Sequence, residues 1–289
     1  MAKPKPRRRV AAFCSDSHAG HVLGLLNPET KLVGVQDDGR AVLWTPELSE
    51  GQMELWEDFT GNIGQAVEFA GRDELIVGHV GDLTQGTNHG RIIPGTTLED
   101  QREIGYWNML PLCQLKTVRT MRLFTGTPVH VPEDAEARVA WKLAKETGKD
   151  VKTYHHERVR IDGVRFDLAH HGPHPGSRDW LEGNVALYYL RDRIYRDRRL
   201  GKEPSRVYVR GHFHHWVRVT LHDTWNGEHH TYDLVVLPSF CGLGEYARKV
   251  TASDPTLTTG FGLFEVIDGQ LGEIRPLMHL WDLRTEEDL

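Results

Sequence analysis

The stretch Arg9-Val-Ala-Ala-Phe-Cys-Ser-Asp-Ser-His18 decides how this chain is read. Residues 9 to 13 have the length and apolar character of a short buried strand, and the chain leaves that strand on Asp16 and His18. An Asp-x-His pair sets two side chains on one side of an extended loop, a hard oxygen donor beside an imidazole. That donor mixture suits Zn2+, Mn2+ or Fe ions. Taken alone, it equally describes a turn aspartate next to a surface histidine.

The same junction recurs outward from this point. Glu74 to His79 is apolar and strand-like and stops at Gly81-Asp82. Met121 to Thr125 runs into Gly126-Thr-Pro-Val-His130. Arg158 to Ala169 alternates around Asp162-Gly163 as a hairpin does, and its second arm ends at His170-His171-Gly172. Arg206 to Arg210 leads into Gly211-His-Phe-His214, two imidazoles two residues apart with a glycine that permits close backbone approach. Five successive strand ends thus carry Asp or His immediately beyond the strand. In α/β sheets, ligands collect at those carboxyl ends. The chain has 17 histidines; their position, more than their number, points to a site.

Helical spacing is expected over 49–70, over 98–117 with an interruption at Pro111, over 132–147 with Gly148 at the C-terminal end, and over 180–200. Hairpins are expected within 31–43 at Asp38-Gly39, between Trp216–Leu221 and Tyr232–Leu237 near Asn226-Gly227, and between Phe261–Ile267 and Leu271–Leu280 at Asp268-Gly269. Strand–helix alternation in front and hairpins behind predict an α/β fold: two mixed sheets packed face to face, helices outside. No repeat or long linker divides the chain, so one domain is expected over 9–283, between a basic arm (1–8) and an acidic tail (284–289).

Composition narrows the classes. Apolar residues at 39% and charged residues at 26% are ordinary for a globular protein. No apolar run approaches the ~18 residues of a membrane span, and the basic N-terminus runs directly into strand sequence without a signal-peptide segment. A cytoplasmic protein with no membrane partner is expected; nothing in the sequence sets an oligomeric state. Three widely spaced cysteines indicate neither a disulfide framework nor a thiolate zinc site, and Cys14 reads as inert packing in a buried strand. Most of the eight tryptophans fall on apolar faces of the expected helices and strands and are expected in the core. A net charge of −6 argues against a broadly basic surface but leaves room for a local basic cleft. Arg191, Arg193, Arg196, Arg198, Arg199, Lys202 and Arg206 form one basic stretch. With Asp192 and Asp197 interleaved, it reads as a solvated helix or as a contact for a polyanion.

In this order, D-x-H, G-D, G-T-x-x-H, a lone histidine and G-H-x-H resemble the calcineurin-like metallophosphoesterase family over residues 9–215. The closest likeness is to its phage and prophage branch, where the third motif is written G-T-x-x-H. The resemblance implies an αββα sandwich and a dinuclear centre. Asp16, His18 and His214 would hold one ion, His170 and His212 the other, and Asp82 would bridge. Two divalent ions are implied, Mn2+ favoured over Zn2+, Fe or Ni2+, sharing a hydroxide that attacks phosphorus. His130 would protonate the leaving group or stabilise its charge. The resemblance further implies a phosphoester substrate, with phosphodiesters such as nucleic acid or a cyclic nucleotide ahead of monoesters.

Two departures stand out. Thr127 occupies the place of the family's metal-ligating Asn and is a poorer ligand, and His130 lies three residues beyond it where the family's histidine follows directly. The fourth motif offers both His170 and His171; strand alternation lets one of them face the metals, with His170 favoured and His171 left to the substrate side. Thr87-Asn88-His89-Gly90 imitates the third motif but lacks a strand before it, so His89 is assigned to the pocket lining. Rival readings are a non-catalytic binding module that has lost its second metal, and a mononuclear metallohydrolase.

Overall fold

A computed structural model describes residues 7–87, 91–130, 134–174, 181–242, 256–284 and 287. Alternation along the strands dictates the layering. In β1 (Arg8–Cys14), Val10, Ala12 and Cys14 face one side while Ala11 and Phe13 face the other, and all five are buried. A strand buried on both faces must be sandwiched, and this one is.

The first sheet has the order β13-β12-β1-β4-β5-β6. It contains β4 (Glu74–His79), β5 (Val118–Phe124), β6 (Asp150–Tyr154), β12 (Thr256–Ile267) and β13 (Gln270–Asp282). β1, β4, β5 and β6 are parallel, while β12 runs antiparallel to β1. The second sheet has the order β10-β11-β9-β8-β7. Its strands are β7 (His156–Ile161), β8 (Val164–Ala169), β9 (Val207–Arg210), β10 (Val217–Trp225) and β11 (Glu228–Val236). A separate hairpin pairs β2 (Leu32–Val35) with β3 (Ala41–Trp44).

Phe13, Ile76 and Phe124 of the first sheet interdigitate with Phe166, Val207, Val209 and Val235 of the second. The outer face of the first sheet packs on α1 (Glu50–Ala70), α2 (Leu98–Gln114) and α3 (Ala135–Thr147). The outer face of the second packs on α4 (Asn184–Arg199). The layers are therefore helix, sheet, sheet, helix. This is the expected arrangement of two mixed sheets with helices outside.

Several boundaries differ from the sequence expectation. The first strand begins at Arg8, inside the expected arm, because its guanidinium pairs with Asp73 and Glu265 at 3.0 and 2.5 Å. Helix α2 passes through Pro111 without a break. Proline lacks the N–H that Trp107 O would accept, and Asn27 Nδ2 donates to that carbonyl instead, at 2.8 Å. Strand β6 went unanticipated: it is short and at the sheet edge, with Val151 its one buried residue, so its apolar signal is faint. The first described residue of the expected 132–147 helix is Asp134, the N-cap of α3, and α4 starts at Asn184, not 180. Trp44, Trp56, Trp107, Trp216 and Trp281 are partly buried against the hydrophobic clusters, as expected, whereas Trp141 and Trp225 are exposed. No helix among the described residues is long and apolar enough to cross a membrane.

Candidate metal centre

The parallel strands bring the expected residues to one rim. Backbone ladders continue past the strand ends: Asp16 N–H donates to Gly81 O, His18 N–H to Asp82 O, and Gly211 N–H to His170 O, at 2.9 to 3.0 Å. Two glycines make the approach possible. A Cβ on Gly126 would overlap Asp82 Oδ1, and one on Gly211 would overlap Ser15 Oγ and crowd Asp16 Oδ2. The glycines that precede the third- and fifth-motif polar residues are thus required by contact with the carboxylates.

Three groups of side chains have ligand atoms within 4.8 Å of one another and could hold a metal ion: Asp16, His18 and His214; Asp82, His170 and His212; and His18, Asp82 and His130. Asp16 is fully buried. Its Oδ2 accepts from His212 N–H at 2.9 Å, whereas Oδ1 has no hydrogen-bond partner and faces His214 Nε2 at 3.2 Å and His18 and His170 Nε2 at 3.9 Å. His170 Nδ1–H donates to Val80 O at 2.7 Å, which turns Nε2 toward Asp82 Oδ2 at 3.1 Å, again without a hydrogen bond. An orphaned carboxylate oxygen and an orphaned imidazole nitrogen, both buried, fit a cation between them.

His18 and His130, like His170, are held through one ring nitrogen with the other turned to the site, as metal ligands usually are. His18 Nδ1–H donates to Gln85 Oε1 at 3.0 Å, and His130 Nδ1–H to Gln85 O at 2.9 Å. His18 Nε2 then lies 3.3 Å from His214 Nε2. Two ring nitrogens so close need a shared proton or a cation. Burial lowers His18 to about 3 and His212 to about 4, so both are neutral near pH 7, the ligating form. Burial alone would also lower His170, but Asp16 and Asp82 outweigh it and raise the ring to about 9.

Thr127 lies against the group of Asp82 and His212. Its N–H donates to Asp82 Oδ1 at 2.5 Å and its hydroxyl to Asp82 Oδ2 at 3.2 Å, with His212 Nδ1 3.3 Å away. His171 is exposed and turned to the rim, its ring against His212 at 4.8 Å. His89 lies outside the described residues. Cys14 is buried at the strand end with its thiol pushed up by burial, as inert packing requires.

Some contributors were not read from the sequence. Gln85 holds two histidines, and its one available signal is its place three residues after Asp82 in the same loop. His79, fully buried, bonds Ser17 Oγ at 3.0 Å and sits behind the Asp16–His18 loop. His21, in a turn with His18, has Nδ1 accepting from Leu23 N–H and is lowered to about 4 by burial. Glu136 is buried at the start of α3 near Asp82, and neither of its carboxylate oxygens has a hydrogen bond.

The fold and the site together define an α/β sandwich with buried Asp/His groups able to take metal ions where its two sheets end. No protein-family model matches the chain, and no curated protein matches it.

Proposed function

We propose that this protein is a metal-dependent phosphoesterase of the calcineurin-like kind, acting on phosphodiesters through a dinuclear centre. The observation that carries the reading is the position of Asp82. It belongs both to the group with His170 and His212 and to a group with His18, whose imidazole also joins Asp16 and His214. A carboxylate so placed can serve two ions at once.

In this reading Asp16, His18 and His214 hold one ion, His170 and His212 the other, with Asp82 between, Mn2+ being the favoured metal. Bound divalent ions would supply charge neutralisation at phosphoryl oxygens and a water nucleophile at neutral pH. The protein's own groups do the rest. Asp16 Oδ2 is fixed by the His212 amide, so the two loops that carry ligands from opposite sheets keep one spacing. His130, held through Nδ1 by Gln85 O, turns Nε2 to the site and delivers a proton to the departing oxygen. Its ring meets His18 edge to face with centroids 4.7 Å apart, which limits its swing. Positioning and electrostatic stabilisation are most of what phosphoryl transfer asks of a protein.

One observation favours a second reading, a single-ion hydrolase. The Thr127 hydroxyl is engaged with Asp82, so the second group has one ligand fewer than a carboxamide there would supply. Stripping metal, restoring Mn2+ and following bis-p-nitrophenyl phosphate and p-nitrophenyl phosphate tests both. The dinuclear diesterase predicts metal-dependent turnover, faster on the diester, abolished in Asp82→Ala, with two ions per chain. One ion with full activity selects the mononuclear reading. No turnover with any divalent metal leaves a binding module.

A further inference from the structure

At the end of the second sheet opposite the metal centre lies a cleft of about 850 Å3. The same strands reach both places. Arg165 of β8 and Arg206 before β9 line the cleft, while His170 and His212 follow those strands at the other end. From Arg206 to His212 the chain extends about 20 Å at strand rise.

The cleft wall carries five cationic side chains, Arg160, Arg165, Arg198, Lys202 and Arg206, against one carboxylate, Glu203. This concentration belongs to a chain whose net charge is −6, so it is a local feature and not a reflection of composition. Three of the five are internally engaged: Arg165 with Glu203 at 2.6 Å, Arg198 with Asp223 at 2.6 Å and Arg206 with Asp233 at 2.5 Å. Arg160 and Lys202 are exposed and pair with no carboxylate among the described residues.

A second observation points to an anion. Arg160 and Arg165 are direct cross-strand partners on β7 and β8, so their side chains stand side by side on one face. Like charges in that register destabilise a sheet. Glu203 offsets the Arg165 charge at 2.6 Å, which leaves Arg160 as the member of the pair whose charge an anion would meet.

Aromatic rings interleave with these cations. Trp225 on the wall is 44% exposed, and the Arg198 guanidinium lies 4.4 Å from its ring centroid. On the outer face of α4, Tyr188 and Tyr195 are exposed and alternate with Arg191 and Arg199 along the helix toward the cleft. Cations for phosphates, with flat rings for unstacked bases, are what a single nucleic-acid strand requires. An acidic protein would use the charge but leave the rings without a role.

We propose that this cleft binds a single strand of nucleic acid, its phosphates on Arg160 and Lys202 and a base on Trp225. The binding needs no metal and no hydrolysis, so it stands or falls separately from the phosphoesterase reading.

Fluorescence anisotropy of a labelled single-stranded oligonucleotide of about 20 nucleotides, with the full chain in EDTA across a salt series, tests it. Affinity falls linearly on a log–log plot against salt. The Arg160→Gln/Lys202→Gln variant binds at least ~10-fold more weakly, with a slope shallower by about 1.4, two single-strand phosphate contacts. Trp225→Leu weakens binding about fivefold or more and leaves the slope unchanged. Because Arg160→Gln removes a facing like charge, the melting temperature of the double variant equals or exceeds that of the parent, which separates lost binding from lost folding. Absence of binding at the lowest salt, or unchanged affinity in the double variant, overturns the proposal. So does competition by poly-glutamate or inorganic tripolyphosphate as effective as competition by unlabelled strand.

Discussion

Asp16, His18, Asp82, His212 and His214 all hold φ between 44° and 78°. This left-handed region costs a non-glycine residue about 1–2 kcal/mol. Among the described residues, the other non-glycine positions there are Asp162, Asn226 and Asp268, each in a hairpin turn before a glycine. Turn chemistry explains those three; the five at the rim are explained by what their side chains meet. The cost is borne by the backbone ladders and by Gln85. Gln85→Ala frees the His18 ring, and Mn2+ affinity by calorimetry is expected to fall about 10- to 100-fold with the fold intact. Glu136 supplies a pH test. Burial first, then the Asp82 charge, raises its carboxyl to about 7, above the ordinary value of about 4.3. The folded state therefore holds an extra proton between those values, and stability falls as pH rises through that window. Glu136→Gln stays neutral. In urea melts it should match the parent near pH 4 and exceed it above pH 7 by about 1 kcal/mol or more. Equal stability at both pH values would remove Glu136 from the account.

At the scale of elements, two buried polar arrangements hold the strands that carry the site. Arg210, the last residue of β9, is fully buried and donates to Asp167 Oδ1 at 2.5 Å, to Asp167 O at 2.8 Å and to Tyr189 OH at 3.0 Å. Burial alone would raise the Asp167 carboxyl, but His156 and Arg210 overcome it and hold the group well below the usual range. Its stabilisation is present above about pH 3.9 and is lost as pH falls toward the depressed value. Asp167→Asn leaves Arg210 buried beside a neutral amide, and a loss of roughly 3–5 kcal/mol at pH 7 is expected, shrinking in acid. The other arrangement is Asn27 at Pro111. Asn27→Ala leaves Trp107 O without its donor, at a cost of about 1–3 kcal/mol in chemical denaturation. A result near zero would mean water replaces the amide. Neither arrangement was legible in the sequence. The partners of Pro111 and Arg210 lie 84 and 43 positions away in the chain, and hydropathy carries no record of them.

Over the whole molecule, the rim gathers buried carboxylates and imidazoles that could hold metal ions. Under the proposed function, Mn2+ at about 100 times its Kd stabilises the folded state by about 2.7 kcal/mol, and EDTA reverses the gain. Thermal melts with and without metal measure it, and Asp16→Asn should abolish the shift. An unchanged melt with every divalent metal tried would count against a metal centre. Period-two burial and glycine-terminated strands are local properties, so the sequence by itself determined the two-sheet sandwich and the strand ends where Asp and His collect. It also marked the basic stretch around Arg198. Only the tertiary structure decided which neighbour each polar group would meet: His170 turned inward and His171 outward, Gln85 as the holder of two histidines, Thr127 spent on Asp82, and Arg160 set against Arg165 in a cleft. The physical reason is range. Strand and turn signals act over a few residues, whereas ligand geometry depends on the register of loops from two sheets brought together by packing.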